Sequence, residues 1–72
     1  MAYDYSKLLG RIVEKYGTQG AFAKALGLSE RSLSLKVTNK VPFKQPEITR
    51  ATSLLGIADS DVAKYFFALK VQ

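Results

Sequence analysis

Few side chains in this sequence can perform acid–base or metal chemistry. The 72 residues include no cysteine and no histidine, so the sequence lacks a thiolate nucleophile and the commonest metal ligand and neutral-pH proton carrier. Asp59 and Asp61 have a spacing that suggests a metal pair, but a helix start explains acidic residues there more simply. There is no phosphate-binding glycine loop and no nucleophile–base pair. We therefore expect no enzyme activity, no cofactor, no metal site and no small-molecule substrate.

The remaining chemistry is electrostatic binding. Eleven Lys and Arg against six Asp and Glu give a net charge of +5, which favours a polyanionic partner, although many small proteins are simply basic. Apolar residues make up 47% of the chain, but no unbroken run approaches the roughly 18 residues of a membrane span. Asp4 and Lys7 interrupt any signal-peptide core. We therefore expect a cytoplasmic protein with no membrane partner.

The elements that position these charges are short helices in a single domain, residues 1–72. A first helix is predicted from about Asp4, as its cap, to Tyr16, before Gly17. Its apolar residues with three-four spacing predict one buried stripe: Tyr5, Leu8, Leu9, Ile12, Val13 and Tyr16. A second helix is predicted from Thr18 or Gln19 to Leu26, with Thr18 as its cap and Gly27 at its end. A third follows the cap residue Ser29, with Leu28 and Leu33 at hydrophobic-staple positions.

The second half of the chain is predicted to hold two more helices. A loop from Asn39 to Gln45 is anchored by Phe43, and Pro46 opens a fourth helix that Gly56 ends. Asp59 or Ser60 can cap a short last helix. After this helix, the apolar residues Phe67, Leu69 and Val71 alternate with other residues, which is the periodicity of a strand. Residues 66–72 are therefore either helix or extended tail. The fold class is all-α, with about five short helices.

The most informative stretch is residues 18–38. Two short helices that meet at a steep angle need a small residue at their contact, a glycine in the tight turn, a buried apolar residue, a cap and an inward apolar residue. Ala23, Gly27, Leu28, Ser29 and Leu33 meet these needs in order. The pattern predicts a helix-turn-helix, and a plain helical hairpin is the less specific alternative.

With this motif in place, the sequence resembles the small phage repressor and Cro-type helix-turn-helix family, of lambda-repressor-like fold. The resemblance runs from Tyr5 to about Phe67. Segments 26–29, 33–36, 42–43 and 47–48, which read LGLS, LSLK, PF and EI, resemble short regulators of temperate phages of Gram-positive bacteria. Those proteins are Cro-like repressors or modulators of repression in the lysis–lysogeny switch.

The resemblance implies a DNA-binding surface on and around the third helix. Gln19 matches a position that bonds a backbone phosphate at a helix start, and Arg31 matches a reader of guanine in the major groove. The lysines Lys36, Lys40 and Lys44 can follow the phosphates, although a single lysine is more often solvated surface than a contact residue. The full set of implied DNA contacts is Gln19, Ser29, Glu30, Arg31, Ser34, Lys36, Lys40 and Lys44.

Two residues on the third helix are poorly suited to DNA binding. Glu30 places a carboxylate where phosphates repel it, unless it accepts from cytosine, and Leu35 places a large apolar side chain on the outward face. The loop around Phe43 can partly cover Leu35. Both residues suit the basic DNA-reading surface of a repressor protein. The surface predicted for such a partner comprises Glu30, Arg31, Ser34, Leu35 and Thr38.

Three functions are therefore open. The protein binds operator DNA as a Cro-like regulator, or it binds the phage's own repressor as an anti-repressor or modulator, or it is an interaction module with neither role. The first two can coexist. A homodimer is possible through the alternating tail or through the run of Tyr65, Phe66 and Phe67, which is otherwise explained as core.

Overall fold

The computed structural model describes residues 2–70. Over these residues the chain forms five α-helices and one 3-10 turn, and the predicted all-α bundle is confirmed. The helices are α1 (Ser6–Tyr16), α2 (Gln19–Leu26), α3 (Glu30–Val37), α4 (Gln45–Leu55) and α5 (Val62–Phe66), with the 3-10 turn at Asp59–Asp61. No helix within residues 2–70 is long and apolar enough to cross a membrane.

Helix α1 begins two residues later than predicted. Tyr5 occupies the N-cap position, while Asp4 Oδ1 accepts a hydrogen bond from the backbone N–H of Ser6 at 2.9 Å. The predicted stripe is wrong at Val13, whose side chain is 56% exposed. The buried residues of α1 are Leu8 and Ile12, because the other helices cover only one side of α1 and the face that they cover is narrower than the apolar stripe.

Helices α2 and α3 begin where the sequence predicts, and α2 ends at the predicted Leu26. Thr18 Oγ1 caps α2 by accepting from the N–H of Ala21 at 3.1 Å. Gly27 ends α2 in the left-handed conformation, with φ 87°, which an L-residue adopts only with strain. Ser29 then caps α3. The two helices pack directly against each other, and we call residues 18–38 the α2–α3 unit.

The core lies where α1, α2, α3, α4 and α5 meet. Its largest fully buried side chains are Phe22, Phe66, Leu8, Ile12, Leu33 and Leu55. The predicted loop anchor, Phe43, packs against this core. Its ring meets those of Tyr5 and Phe66 edge to face, with centroids 5.4 and 5.3 Å away. This geometry adds aromatic attraction to apolar burial.

The second half differs from the prediction at its helix starts. Helix α4 begins at Gln45, so Pro46 is its second residue rather than its first. The short last helix, α5, has Asp61 rather than Asp59 or Ser60 at its N-cap, and that cap makes no side-chain hydrogen bond. Asp61 instead pairs with Lys64 at 3.2 Å, one turn along.

Both ends of the described chain are held together. Tyr3 and Leu69 form an isolated antiparallel bridge. The N–H of Asp4 donates to Ala68 O at 2.6 Å and the N–H of Lys70 to Ala2 O at 3.1 Å. The tail is thus extended after α5 and paired within its own chain, and Val71 lies outside the described residues. We call the paired segments Ala2–Asp4 and Ala68–Lys70 the terminal clasp. The side chain of Asn39, which bonds to Tyr3, also belongs to it.

Candidate functional site

The candidate site is the outward side of α3. Leu33, Lys36 and Val37 turn inward and are buried, because residues three and four apart share one side of a helix. We call the outward residues of α3, together with the adjoining Thr38, the α3 face; Ser32, which bonds to the cap residue Ser29, is not counted in it. Its members are the exposed Glu30, Arg31, Ser34 and Thr38 and the half-buried Leu35. The five residues predicted to bind a protein partner are therefore together on one surface.

Ser29 supports this surface as a cap. Its Oγ accepts from the N–H of Ser32 at 3.1 Å and donates to Ser32 Oγ at 2.9 Å. Both interactions are local, and they hold the first turn of α3 in place. The hydroxyl proton of Ser29 is therefore engaged within the chain rather than aimed away from it.

Glu30 reaches back to the start of the preceding helix. A Cβ built on Gly20 would lie 3.2 and 3.3 Å from the two carboxylate oxygens of Glu30. Gly20 belongs to the first turn of α2, next to the half-buried Gln19. A carboxylate thus lies at the helix end where Gln19 is predicted to contact a phosphate.

Lys36 is not where the sequence analysis expects it. Only 5% of the residue is exposed. Its Nζ lies 2.8 Å from Glu47 Oε1 and donates to Pro42 O at 3.2 Å. The expectation that Lys36 follows the DNA phosphates is contradicted by this burial, because the four-residue spacing from Lys36 to Lys40 crosses the end of α3 and does not continue on one face.

The other two lysines of that series are exposed. Lys40 lies in the loop after α3, and Lys44 stands at the N-cap of α4. Within residues 2–70, neither they nor Arg31 has a carboxylate partner within salt-bridge distance; the ion pairs there are Arg11–Glu14, Lys36–Glu47 and Lys64–Asp61. Arg31, Lys40 and Lys44 are the cations beside the α3 face that remain open to an external partner.

Glu47 fixes the start of α4 to the underside of α3. Its Oε1 accepts from Lys36 and also from the backbone N–H of Lys44 at 2.8 Å. Burial raises the pKa of Glu47, but the hydrogen bonds from Lys36 and Lys44 outweigh it and hold the pKa below its ordinary value. The carboxylate is therefore ionised at neutral pH and keeps the Lys36 ammonium inside.

The C-terminal end of α3 is closed by two polar side chains. Thr38 Oγ1 donates to Ser34 O at 2.7 Å. Asn39 has φ 66°, a conformation that asparagine tolerates better than most residues. Its Oδ1 accepts from the N–H of Tyr3 at 2.8 Å, and its Nδ2 donates to Tyr3 O at 2.9 Å. The end of the candidate site is thereby attached to the terminal clasp.

The supporting roles of three residues were not predicted from the sequence: Gly20, Asn39 and Glu47. An Asn directly after an amphipathic helix signals a left-handed cap, and a Glu three residues after a helix start signals a capping interaction, so both signals were present. Their partners, Tyr3 and Lys36, are distant in sequence and carried no such signal. The sequence carried no signal for the role of Gly20, because a glycine inside a helix does not show which side chain will pack against it.

The chain is similar over its whole length to a phage regulator. The solution structure of the modulator of repression (MOR) of the temperate bacteriophage TP901-1 from Lactococcus lactis has 54% sequence identity and a TM-score of 0.82, over 100% of this chain and 97% of that chain. The predicted resemblance to modulators of repression is confirmed. No curated protein matches the chain. Residues 1–69 match the family model described as Protein of unknown function (DUF739), and the chain therefore belongs to that family.

Proposed function

We propose that this protein regulates the lysis–lysogeny switch of a temperate phage by binding the phage's repressor through its α3 face. The α2–α3 unit serves in this proposal as a helix-turn-helix that contacts protein. The protein would act in the cytoplasm of the bacterial host, where repressor and operator meet. The observation that carries the proposal is the composition of the α3 face, with a carboxylate at its start and a leucine at its centre.

The chemistry of that face fits a basic protein surface. A repressor's DNA-reading surface is rich in Arg and Lys, because it neutralises phosphates. Glu30 is exposed and offers such a surface a negative charge. Leu35 is half-buried and adds apolar contact between polar neighbours, an arrangement typical of the central residues of an interface. Covering the repressor's reading helix releases the operator by competition, without any chemical step.

Similarity supports the same proposal from another direction. The TP901-1 protein is described as a modulator of repression, and it is 54% identical to this chain. The α3 face rests on an ion pair between the buried Lys36 and the partly buried Glu47, which removes one of the predicted phosphate-binding cations from the surface. Both observations weigh toward a repressor and away from DNA as the main partner.

Two substitutions on the α3 face test this proposal. The purified protein is titrated with the repressor of the phage that encodes it, and binding is measured by calorimetry. Leu35→Ala is expected to weaken the complex about tenfold, as for a central interface residue. Glu30→Lys should weaken it at least as much, because it reverses the charge that faces a basic surface.

Val13→Ala is the matched control, because Val13 is an exposed apolar residue on α1, outside the α3 face. It should bind the repressor as the natural chain does. All three variants should keep the melting temperature within a few degrees. If Leu35→Ala and Glu30→Lys bind the repressor as tightly as Val13→Ala, this surface is not the repressor-binding surface.

Operator DNA is the second candidate partner, and the exposed cations favour it. Arg31 lies on the α3 face, and Lys40 and Lys44 lie in the loop beside it, all exposed. A guanidinium at this position can bond guanine O6 and N7 together, while the lysines contact phosphates. The two partners would then compete for one surface.

A further inference from the structure

Gly20 stands where a helix gains nothing from glycine. It is the second residue of α2, and the glycines with positive φ are Gly17, Gly27 and Gly56. A glycine in regular helical conformation weakens the helix relative to alanine. The structure offers a steric reason for glycine at position 20, because a Cβ there would come within 3.2 Å of the Glu30 carboxylate. A side chain at Gly20 would therefore press on the carboxylate where it now lies against the backbone of α2.

The carboxylate occupies the end of α2 that attracts anions. The first N–H groups of a helix have no partner within the helix, and the helix dipole makes this end positive. Thr18 Oγ1 satisfies the N–H of Ala21. Helix α2 has no acidic residue of its own in its first turn. The negative charge there is supplied by Glu30, from the first turn of the next helix.

We propose that Glu30, lying against Gly20, is a specificity-determining residue that excludes DNA phosphate from the α2–α3 unit. A phosphate that approaches the start of α2 meets the Glu30 carboxylate and is repelled. A cationic side chain of a protein partner meets the same carboxylate and is attracted. The Glu30 carboxylate therefore distinguishes two classes of partner, because it disfavours DNA phosphate and favours a cationic protein side chain.

The test measures binding to DNA alone. A fluorescent duplex of random sequence is titrated at low salt with the full chain and with Glu30→Gln, which keeps the shape of the side chain and removes its charge. Asp59→Asn is the matched control, since Asp59 is exposed in the 3-10 turn and its loss changes the net charge equally. Glu30→Gln is expected to bind about two- to fivefold more tightly than Asp59→Asn, the effect of one charge at a helix end.

A second variant moves the charge without removing it. Gly20→Ala displaces the flexible carboxylate outward from the start of α2, so its DNA affinity should lie between those of the natural chain and Glu30→Gln. Equal affinities of Glu30→Gln and Asp59→Asn would overturn the inference, and so would a Glu30→Gln variant that still fails to bind duplex at low salt. No repressor takes part, so failure here and failure of the proposed function are distinguishable.

Discussion

Nζ of Lys36 lies 2.8 Å from Oε1 of Glu47, and the same oxygen accepts the backbone N–H of Lys44 at 2.8 Å. Lys36 comes from the buried side of α3 and Glu47 from the first turn of α4. The ring of Phe43 lies 6.0 Å from the ammonium. The orientation of the α3 face thus depends on a charge interaction beneath it as well as on apolar packing.

Lys36→Met should lower the free energy of unfolding by about 3 kcal/mol, because it leaves the Glu47 carboxylate without its buried partner. The double variant Lys36→Met with Glu47→Gln should recover much of that loss, since no unpaired charge remains. Urea denaturation of the two single variants and the double variant measures the coupling. Lys40→Met, at an exposed lysine, is the control. A single-variant loss no larger than that of the control would contradict a structural role for the pair.

Acid should weaken the fold through Glu47. Its folded pKa lies below the ordinary value of 4.5, so its contribution is fully present above that value and is lost as pH falls through the folded pKa. The free energy of unfolding, measured from about pH 6 down to about pH 3, should therefore fall less steeply in Glu47→Gln than in the natural chain. Hydrogen bonds from Ser6 also lower the pKa of Asp4, and that contribution is common to both proteins. Identical slopes would show that Glu47 is not stabilised in its ionised form.

Asn39 can be separated into its backbone and side-chain roles. Asn39→Gly keeps the positive φ but loses both hydrogen bonds to Tyr3, which should reduce stability by about 1 kcal/mol. Asn39→Ala loses the bonds and also strains the left-handed backbone, so about 2 kcal/mol is expected. Thermal unfolding compares them, and hydrogen exchange at the Asp4 and Lys70 amides reports whether the terminal clasp opens. Equal stability of the two variants would argue against backbone strain at this position.

The DNA-binding alternative has its own test. If the α3 face reads bases, Arg31→Ala should lose about 1–3 kcal/mol on a specific operator and relax the sequence preference at one position. Lys40→Ala should weaken binding to all sequences alike and flatten the salt dependence by about one contact. Gel shifts on switch-region DNA over a range of salt concentrations distinguish the two effects. If neither variant changes the shift, the proposed DNA docking is wrong.

The sequence predicted the fold well wherever the signal was local. Both caps of the α2–α3 unit and Gly27 were identified, because a cap or a left-handed glycine is recognised from its immediate neighbours. The errors came where a distant residue decides. Lys36 was assigned to the surface because its partner, Glu47, lies on another helix, and Val13 was assigned to the core because no local rule states how much of α1 its neighbours cover. The contacts predicted for Gln19, Ser29, Glu30, Arg31, Ser34, Leu35, Thr38, Lys40 and Lys44 remain predictions.

The terminal clasp has a consequence for the order in which the protein folds. Most contacts in the bundle join helices that are near in sequence, whereas the bridge from Tyr3 to Leu69 closes almost the entire chain. Closing so long a loop is entropically unfavourable until the helices have already brought its ends together. The clasp should therefore form last and open first. An opened clasp frees both terminal segments at once, and such segments are where proteolysis concentrates, so we expect a protease to cleave the protein first from the state in which the clasp is open.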